Sequence, residues 1–204
     1  MNLDLTMLQN EIEVEHAKQA FEKRNGEEFA MAGYCNGSMM NLVLANDIVL
    51  LLHGMYEAAM IAAYTGCKLD YRNWSLVSLE RMFQKGNREK YAALGTPIPE
   101  KAIVYRGVYR QGTERQVRGF SWTTSLDVAC WYALRGLCAN PAPAIYQASV
   151  RAEQIICCFD GRKEKEMICY PPKSVKKLKL SLKEVEAAQK RTQAVFKESH
   201  MAVA

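Results

Sequence analysis

The sequence predicts an α+β fold: a helical N-terminal part over residues 1–95, then a strand-rich core with a C-terminal helix over residues 96–204. Three observations predict it. Apolar residues recur at helical spacing through the first part, short β-type runs between turn residues dominate the second, and a Ser-x-x-Glu capping box from Ser181 to Glu184 opens a last helix. With 204 residues, 49% of them hydrophobic, the chain can bury a real core, as one large domain or as a compact domain with a helical extension.

Leu5, Leu8 and Ile12 share a helical face that Ala17, Ala20 and Phe21 continue, until the pattern breaks at Gly26. Leu42 to Tyr64 is apolar enough to suggest a bilayer span, but Asn46, Asp47, His53 and Glu57 interrupt it, which predicts one or two buried helices. His53 has no second histidine at a ligating offset and reads as a core or helix-face residue. In "NWSLVSLERMFQ", Leu76, Leu79, Met82 and Phe83 fall at helical spacing behind Asn73 or Ser75 as cap. "KGNREKYAALGTPIPEK" is then punctuated by Gly and Pro, which places the structural boundary near residue 95.

Beyond the boundary, "AIVYRGVY", "GFSWTTS", "AIYQASV", "QIICCF", "EMICY" and "VKKLKLSL" read as strands. One helix interrupts them, "LDVACWYALRG", with Thr124 or Ser125 as N-cap, Asp127 in the first turn and Gly136 as its stop. The last helix runs from its capping box to about Phe196.

The balance of 27 Lys and Arg against 22 Asp and Glu gives +5, too mild to mark a nucleic-acid binder. The excess is concentrated at Arg162, Lys163, Lys165, Lys173, Lys176, Lys177, Lys179 and Lys183. Such a run either protects a solvated edge strand or attracts an acidic ligand or partner, and the two roles are compatible. Seven cysteines, without a CxxC pair or zinc-finger spacing to the three histidines, read as reduced thiols of a cytoplasmic protein with no metal site. The opening "MNLDLTMLQNEIEVEH" carries four acids before any Lys or Arg and does not read as a signal peptide; no membrane segment is expected.

Three features of the strand-rich part carry chemistry. Arg106 sits inside an apolar run, "VYRGV", where a planar fork of donors calls for a phosphate or a local acid. "SWTTS" ends the second run with hydroxyls that suit either a ligand or a strand end with a helix cap. "KEKEMICY" sets Glu164 and Glu166 two positions apart. On a strand they project from one face within mutual repulsion; otherwise the alternating lysines make an ordinary charged loop.

In this order, over about residues 100–182, these features resemble the R-S-E class of ADP-ribosyltransferases, whose pattern is an arginine, a Ser-Thr-Ser strand and Glu-x-Glu. The resemblance implies a β-sandwich catalytic core with NAD as substrate and no metal, the helical part either packing on that core or binding a separate partner. Arg106 would hold the NAD phosphates, and Gly107 would admit main-chain bonds to the nicotinamide amide, unless it marks a bulge. Thr123, Thr124 and Ser125 would stand for Ser-Thr-Ser, with Thr123 replacing the first serine; a shift of two residues would put Ser121 in that place. Glu166 would stabilise the oxocarbenium-like ribose and bond its 2′-hydroxyl, while Glu164 would orient or deprotonate the acceptor. Trp122, Trp131, Tyr132 or Phe159 would stack on the nicotinamide.

The implied function is transfer of a single ADP-ribose from NAD to a macromolecular acceptor. A protein arginine suits the acidic Glu164, while Arg162, Lys163 and Lys165 keep nucleic acid and an acidic-surfaced protein open. A NAD glycohydrolase toxin and a non-catalytic interaction module are the alternatives.

Overall fold

The computed structural model describes residues 2–66, 74–109, 117–135, 142–160 and 163–201. The chain forms two compact units, Met1–Leu94 and Gly95–Ala204. Cys67, Asn73, Gly136, Cys138 and Arg162 lie outside the described residues.

The first unit holds α1 (Glu11–Glu22), α2 (Gly26–Met31), α3 (Met39–Ala45), α4 (Asp47–Leu52), α5 (Tyr56–Gly66), α6 (Leu76–Lys85) and α7 (Arg88–Ala93). Helix α1 begins later than the apolar spacing predicts, because Asn10 caps it by accepting the Glu13 N–H, and Ile12 is left exposed. Ahead of it Asp4 folds back on Thr6 and donates its N–H to Asn46, so Leu5 is not helical. The apolar stretch from Leu42 to Tyr64 makes three helices rather than one or two. Asn46 separates α3 from α4, and Gly54, at a φ of +69°, turns the chain between α4 and α5.

His53 is the exposed C-cap of α4, its ring edge-on to Phe21. Helix α7 was not expected from the punctuated stretch. Asn87 supplies its cap, and the buried Glu57 carboxylate accepts the Asn87 N–H at 2.7 Å. The core of this unit centres on Tyr56, whose hydroxyl donates to the Met82 carbonyl, and on Phe83, edge-on to both Tyr64 and Tyr91.

The second unit holds one open antiparallel sheet with the α-helices Leu126–Leu134 and Leu182–Met201 and a 3-10 turn, Ala152–Gln154. Its strands are β1 (Lys101–Tyr109), β2 (Ser121–Thr123), β3 (Pro143–Arg151), β4 (Ile155–Phe159), β5 (Glu166–Cys169) and β6 (Lys176–Lys177), in the spatial order β4-β5-β2-β1-β3-β6. Helix α8 (Leu126–Leu134) is capped by Ser125, and α9 (Leu182–Met201) opens on the reciprocal Ser181–Glu184 box and continues past Phe196. Ala129, Cys130 and Ala133 of α8 and Val185 and Ala188 of α9 pack with Tyr105 and Ile145. Alternation turns Val104, Ala148 and Val150 to the other face, where they join Trp122, Ile155, Cys158, Met167 and Cys169 in one cluster. Arg191 of α9 grips Asp127 of α8 through two hydrogen bonds of 2.7 and 2.6 Å. Lys176 and Lys177 are exposed on the edge strand, where lysine discourages further pairing. Among the described residues no helix is long and apolar enough to cross a membrane.

Candidate active site

Strands β1 and β3 pair along their whole length, whereas β1 and β2 meet at one registered pair, Tyr105 and Thr123. The strands part just beyond that pair, and Arg106 occupies the divergence. Carbonyls alternate in direction along a strand; since the Phe120 carbonyl accepts Cys169 N–H on the β5 side, that of Ser121 points toward β1. There it accepts a short hydrogen bond from Arg106 Nη1. A side chain replaces the ladder partner that the divergence removes.

Behind the guanidinium lies Gly119. A Cβ at that position would stand 2.5 Å from Arg106 Nη2 and 2.7 Å from its Cζ, so only glycine leaves room for the planar group. The Trp122 indole N–H donates to the Gly119 carbonyl at 2.7 Å and holds the segment in place. Nothing in the sequence reading singled out Gly119; the signal available was its position just before the hydroxyl strand.

On the other side of β2, register brings Glu166 into reach. Thr123 pairs with Glu166 and Ser121 with Ile168, so Ser121 and Glu166 share a face one diagonal step apart. The Ser121 hydroxyl donates to Glu166 Oε1 at 2.6 Å. Arg106, Ser121 and Glu166 are thus linked in series across β1, β2 and β5, all three half-buried. The hydroxyl that meets Glu166 belongs to Ser121, the alternative position for the family's first serine, and not to Thr123.

The three residues first assigned to Ser-Thr-Ser have other partners. Thr123 is 5% exposed, and its hydroxyl donates to the Glu164 carbonyl at 2.7 Å and accepts from Ser125 N–H at 3.0 Å. Thr124 is exposed and donates its N–H to the Lys165 carbonyl, and Ser125 caps α8 through Val128 N–H. Glu164 does not share a strand with Glu166. Strand β5 begins at Glu166, and Glu164 sits in the preceding turn between Lys163 and Lys165, whose φ values are +58° and +47°. Two-residue alternation therefore does not set its direction.

Gly107 is needed for packing. A Cβ there would fall 1.8 Å from the Ala129 carbonyl oxygen, so its bareness admits the backbone of α8, and β1 runs through it in register with β3 without a bulge. Of the aromatic candidates, Trp122 is 2% exposed in the core, and Trp131 packs edge-on against Tyr132 and Phe196. Phe159 pairs with Glu166 across β4 and β5, which places it beside the candidate carboxylate.

The thiol environment of this half is apolar. Burial pushes Cys157 up to about 12, with Cys158 and Glu166 adding to the rise, and pushes Cys169 up to about 12 and Cys130 up to about 11. These thiols stay protonated at neutral pH and are poor nucleophiles. Among the described residues no group of three or more His, Cys, Asp and Glu side chains is placed to hold a metal ion.

Compared with protein-family models, with curated proteins and with solved structures, the chain matches none.

Proposed function

We propose that this chain is a mono-ADP-ribosyltransferase that takes NAD and transfers its ADP-ribose to an acceptor guanidine on a protein, releasing nicotinamide. The observation that carries this reading is the linked series of Arg106, Ser121 and Glu166 over three adjacent strands, with Ser121 Oγ 2.6 Å from Glu166 Oε1. A guanidinium suited to a pyrophosphate and a carboxylate suited to a cation-like sugar then lie on either side of one serine.

In this reading the bond between ribose C1′ and the nicotinamide nitrogen breaks, and its electron pair leaves with nicotinamide. Glu166 stabilises the positive charge that develops on the ribose and accepts from its 2′-hydroxyl, while Ser121 fixes the carboxylate's orientation. An acceptor guanidine nitrogen bonds to C1′, and Glu164 takes the displaced proton.

The fold is read as the β-sandwich of the R-S-E class. Support comes from the single registered pair between β1 and β2, which divides the sheet into β4-β5-β2 and β1-β3-β6, and from the one apolar cluster that joins residues of both halves. Phe159 is the aromatic assigned to nicotinamide, from its place beside Glu166. NAD is a substrate here, no metal takes part, and the reaction belongs in the cytoplasm, a compartment compatible with free buried thiols.

Incubation of the protein with labelled NAD and a cell extract tests the reading. Labelled macromolecules with wild type and none with Glu166→Gln are expected. Labelling that persists in Glu166→Gln removes the assignment, and nicotinamide release without any labelled acceptor makes the protein a glycohydrolase instead.

A further inference from the structure

We infer that Thr123 is a positioning residue that holds the Glu164 turn and so sets how the ADP-ribosyl group is divided between an acceptor and water; this rests on the transferase reading above. The segment Lys163–Lys165, just before β5, carries two non-glycine residues in the left-handed region, Lys163 and Lys165, on either side of Glu164. That region is strained for a residue with a side chain, so the turn persists only where other contacts impose it.

Two contacts come from the end of β2, where the Thr123 hydroxyl donates to the Glu164 carbonyl at 2.7 Å and Thr124 N–H donates to the Lys165 carbonyl at 3.1 Å. A third is local, from Lys163 N–H to the Asp160 carbonyl at 3.0 Å. The same Thr123 oxygen accepts Ser125 N–H at 3.0 Å, which ties the turn to the start of α8. One buried hydroxyl thus acts as donor to the acceptor-directed glutamate's backbone and as acceptor for the helix, while its own residue pairs with Glu166. Its hydrogen bonds run to the Glu164 carbonyl and from the Ser125 N–H, not to either carboxylate. Loss of the hydroxyl frees the Glu164 turn and leaves the link between Ser121 and Glu166 in place, so acceptor activation suffers more than cleavage of the nicotinamide bond.

Thr123→Val keeps the shape and removes the oxygen; Thr123→Ser keeps the oxygen. With NAD and the small guanidine agmatine, the ratio of ADP-ribosyl-agmatine to free ADP-ribose is expected to fall about tenfold in Thr123→Val, the worth of one hydrogen bond, and to recover in Thr123→Ser. Amide exchange at Thr124 and Ser125 is expected to quicken in Thr123→Val. Should that variant not fold, Thr123→Ala gives the same comparison. An unchanged ratio, equal loss of both products, or wild-type hydrolysis without agmatine transfer overturns the partition role. Wild type that forms neither product overturns the transferase reading and the partition with it, while unchanged exchange at Thr124 and Ser125 overturns the clamp itself.

Discussion

Ser121 donates its hydroxyl to Glu166 at 2.6 Å while its own carbonyl accepts from Arg106, so one residue links the two charged groups of the candidate site. A hydrogen bond to a charged group contributes about 1.5–3 kcal/mol. Ser121→Ala is therefore expected to slow nicotinamide release by about 10- to 100-fold, since the carboxylate loses its orienting donor. The Arg106 contact is to the Ser121 backbone and survives the substitution, so the melting temperature should change little. Steady-state kinetics with a thermal melt checks both; full activity in Ser121→Ala would detach this serine from the chemistry.

Gly119 decides where the Arg106 guanidinium can lie. A methyl group at 119 would meet Nη2 at 2.5 Å, and the flexible arginine would move rather than the backbone. Gly119→Ala is expected to weaken NAD binding several-fold with modest loss of stability, and Arg106→Lys to weaken it about tenfold or more, because an ammonium lacks the fork that matches phosphate oxygens. Calorimetric titration with NAD measures both, and equal affinity across the three proteins would exclude Arg106 from the phosphates.

Gly107 presents the opposite case. Its added Cβ would stand 1.8 Å from the Ala129 carbonyl oxygen, which belongs to the backbone of α8 and has no rotamer with which to yield. Gly107→Ala should destabilise the second unit by about 3 kcal/mol, at the upper end for overpacking. Denaturant unfolding monitored by tryptophan fluorescence would show a lower midpoint, and an unchanged midpoint would mean that α8 can withdraw without penalty.

The buried thiols make stability fall in alkali. Burial raises Cys130 from the ordinary 9.0 to about 11, and Cys157 and Cys169 to about 12. A folded value above the unfolded one means that the folded chain holds the proton more tightly. The contribution is complete below pH 9 and is lost as pH rises from 9 through 11 to 12. Melting temperature should drop over that window, and mass spectrometry after brief alkylation at pH 8 should find Cys35, which is exposed, modified ahead of Cys130, Cys157 and Cys169. Rapid native-state alkylation of the buried set would contradict the packing.

Lys163 and Lys165 are exposed on either side of the half-buried Glu164. In the transferase reading a target guanidine drawn to that glutamate passes two ammonium groups, so acceptors with acidic neighbours should be preferred. Arginine peptides flanked by Asp are expected to react about two- to fivefold faster than those flanked by Lys, a difference that shrinks with salt. Lys163→Glu with Lys165→Glu should reverse the order. The same preference in the reversed variant would place the discrimination elsewhere.

Elements whose signals are local could be read from the chain alone. The Ser181–Glu184 box, the Ser125 cap and the apolar runs of β1, β3, β4 and β5 each depend on neighbouring residues and on a period of 2 or 3.6, so sequence order carries them. Apolar spacing also misled where a polar side chain intervened, whether nearby or from a distant element. Asn10 and Asn46 shortened helices that apolar spacing would have extended, and Glu57 supported α7, thirty positions away from Asn87.

The candidate site shows the same division. The resemblance carried by three motifs in order pointed to Arg106, Glu164 and Glu166 as its charged members. Which hydroxyl meets Glu166 was decided in three dimensions: the register of β2 with β5 sets Thr123 opposite Glu166 and Ser121 diagonal to it, and the Thr123 hydroxyl is taken by the Glu164 carbonyl while that of Ser121 donates to the carboxylate. The direction of Glu164 and the roles of Gly107 and Gly119 likewise depend on close approaches between segments far apart in the chain, which no local periodicity encodes.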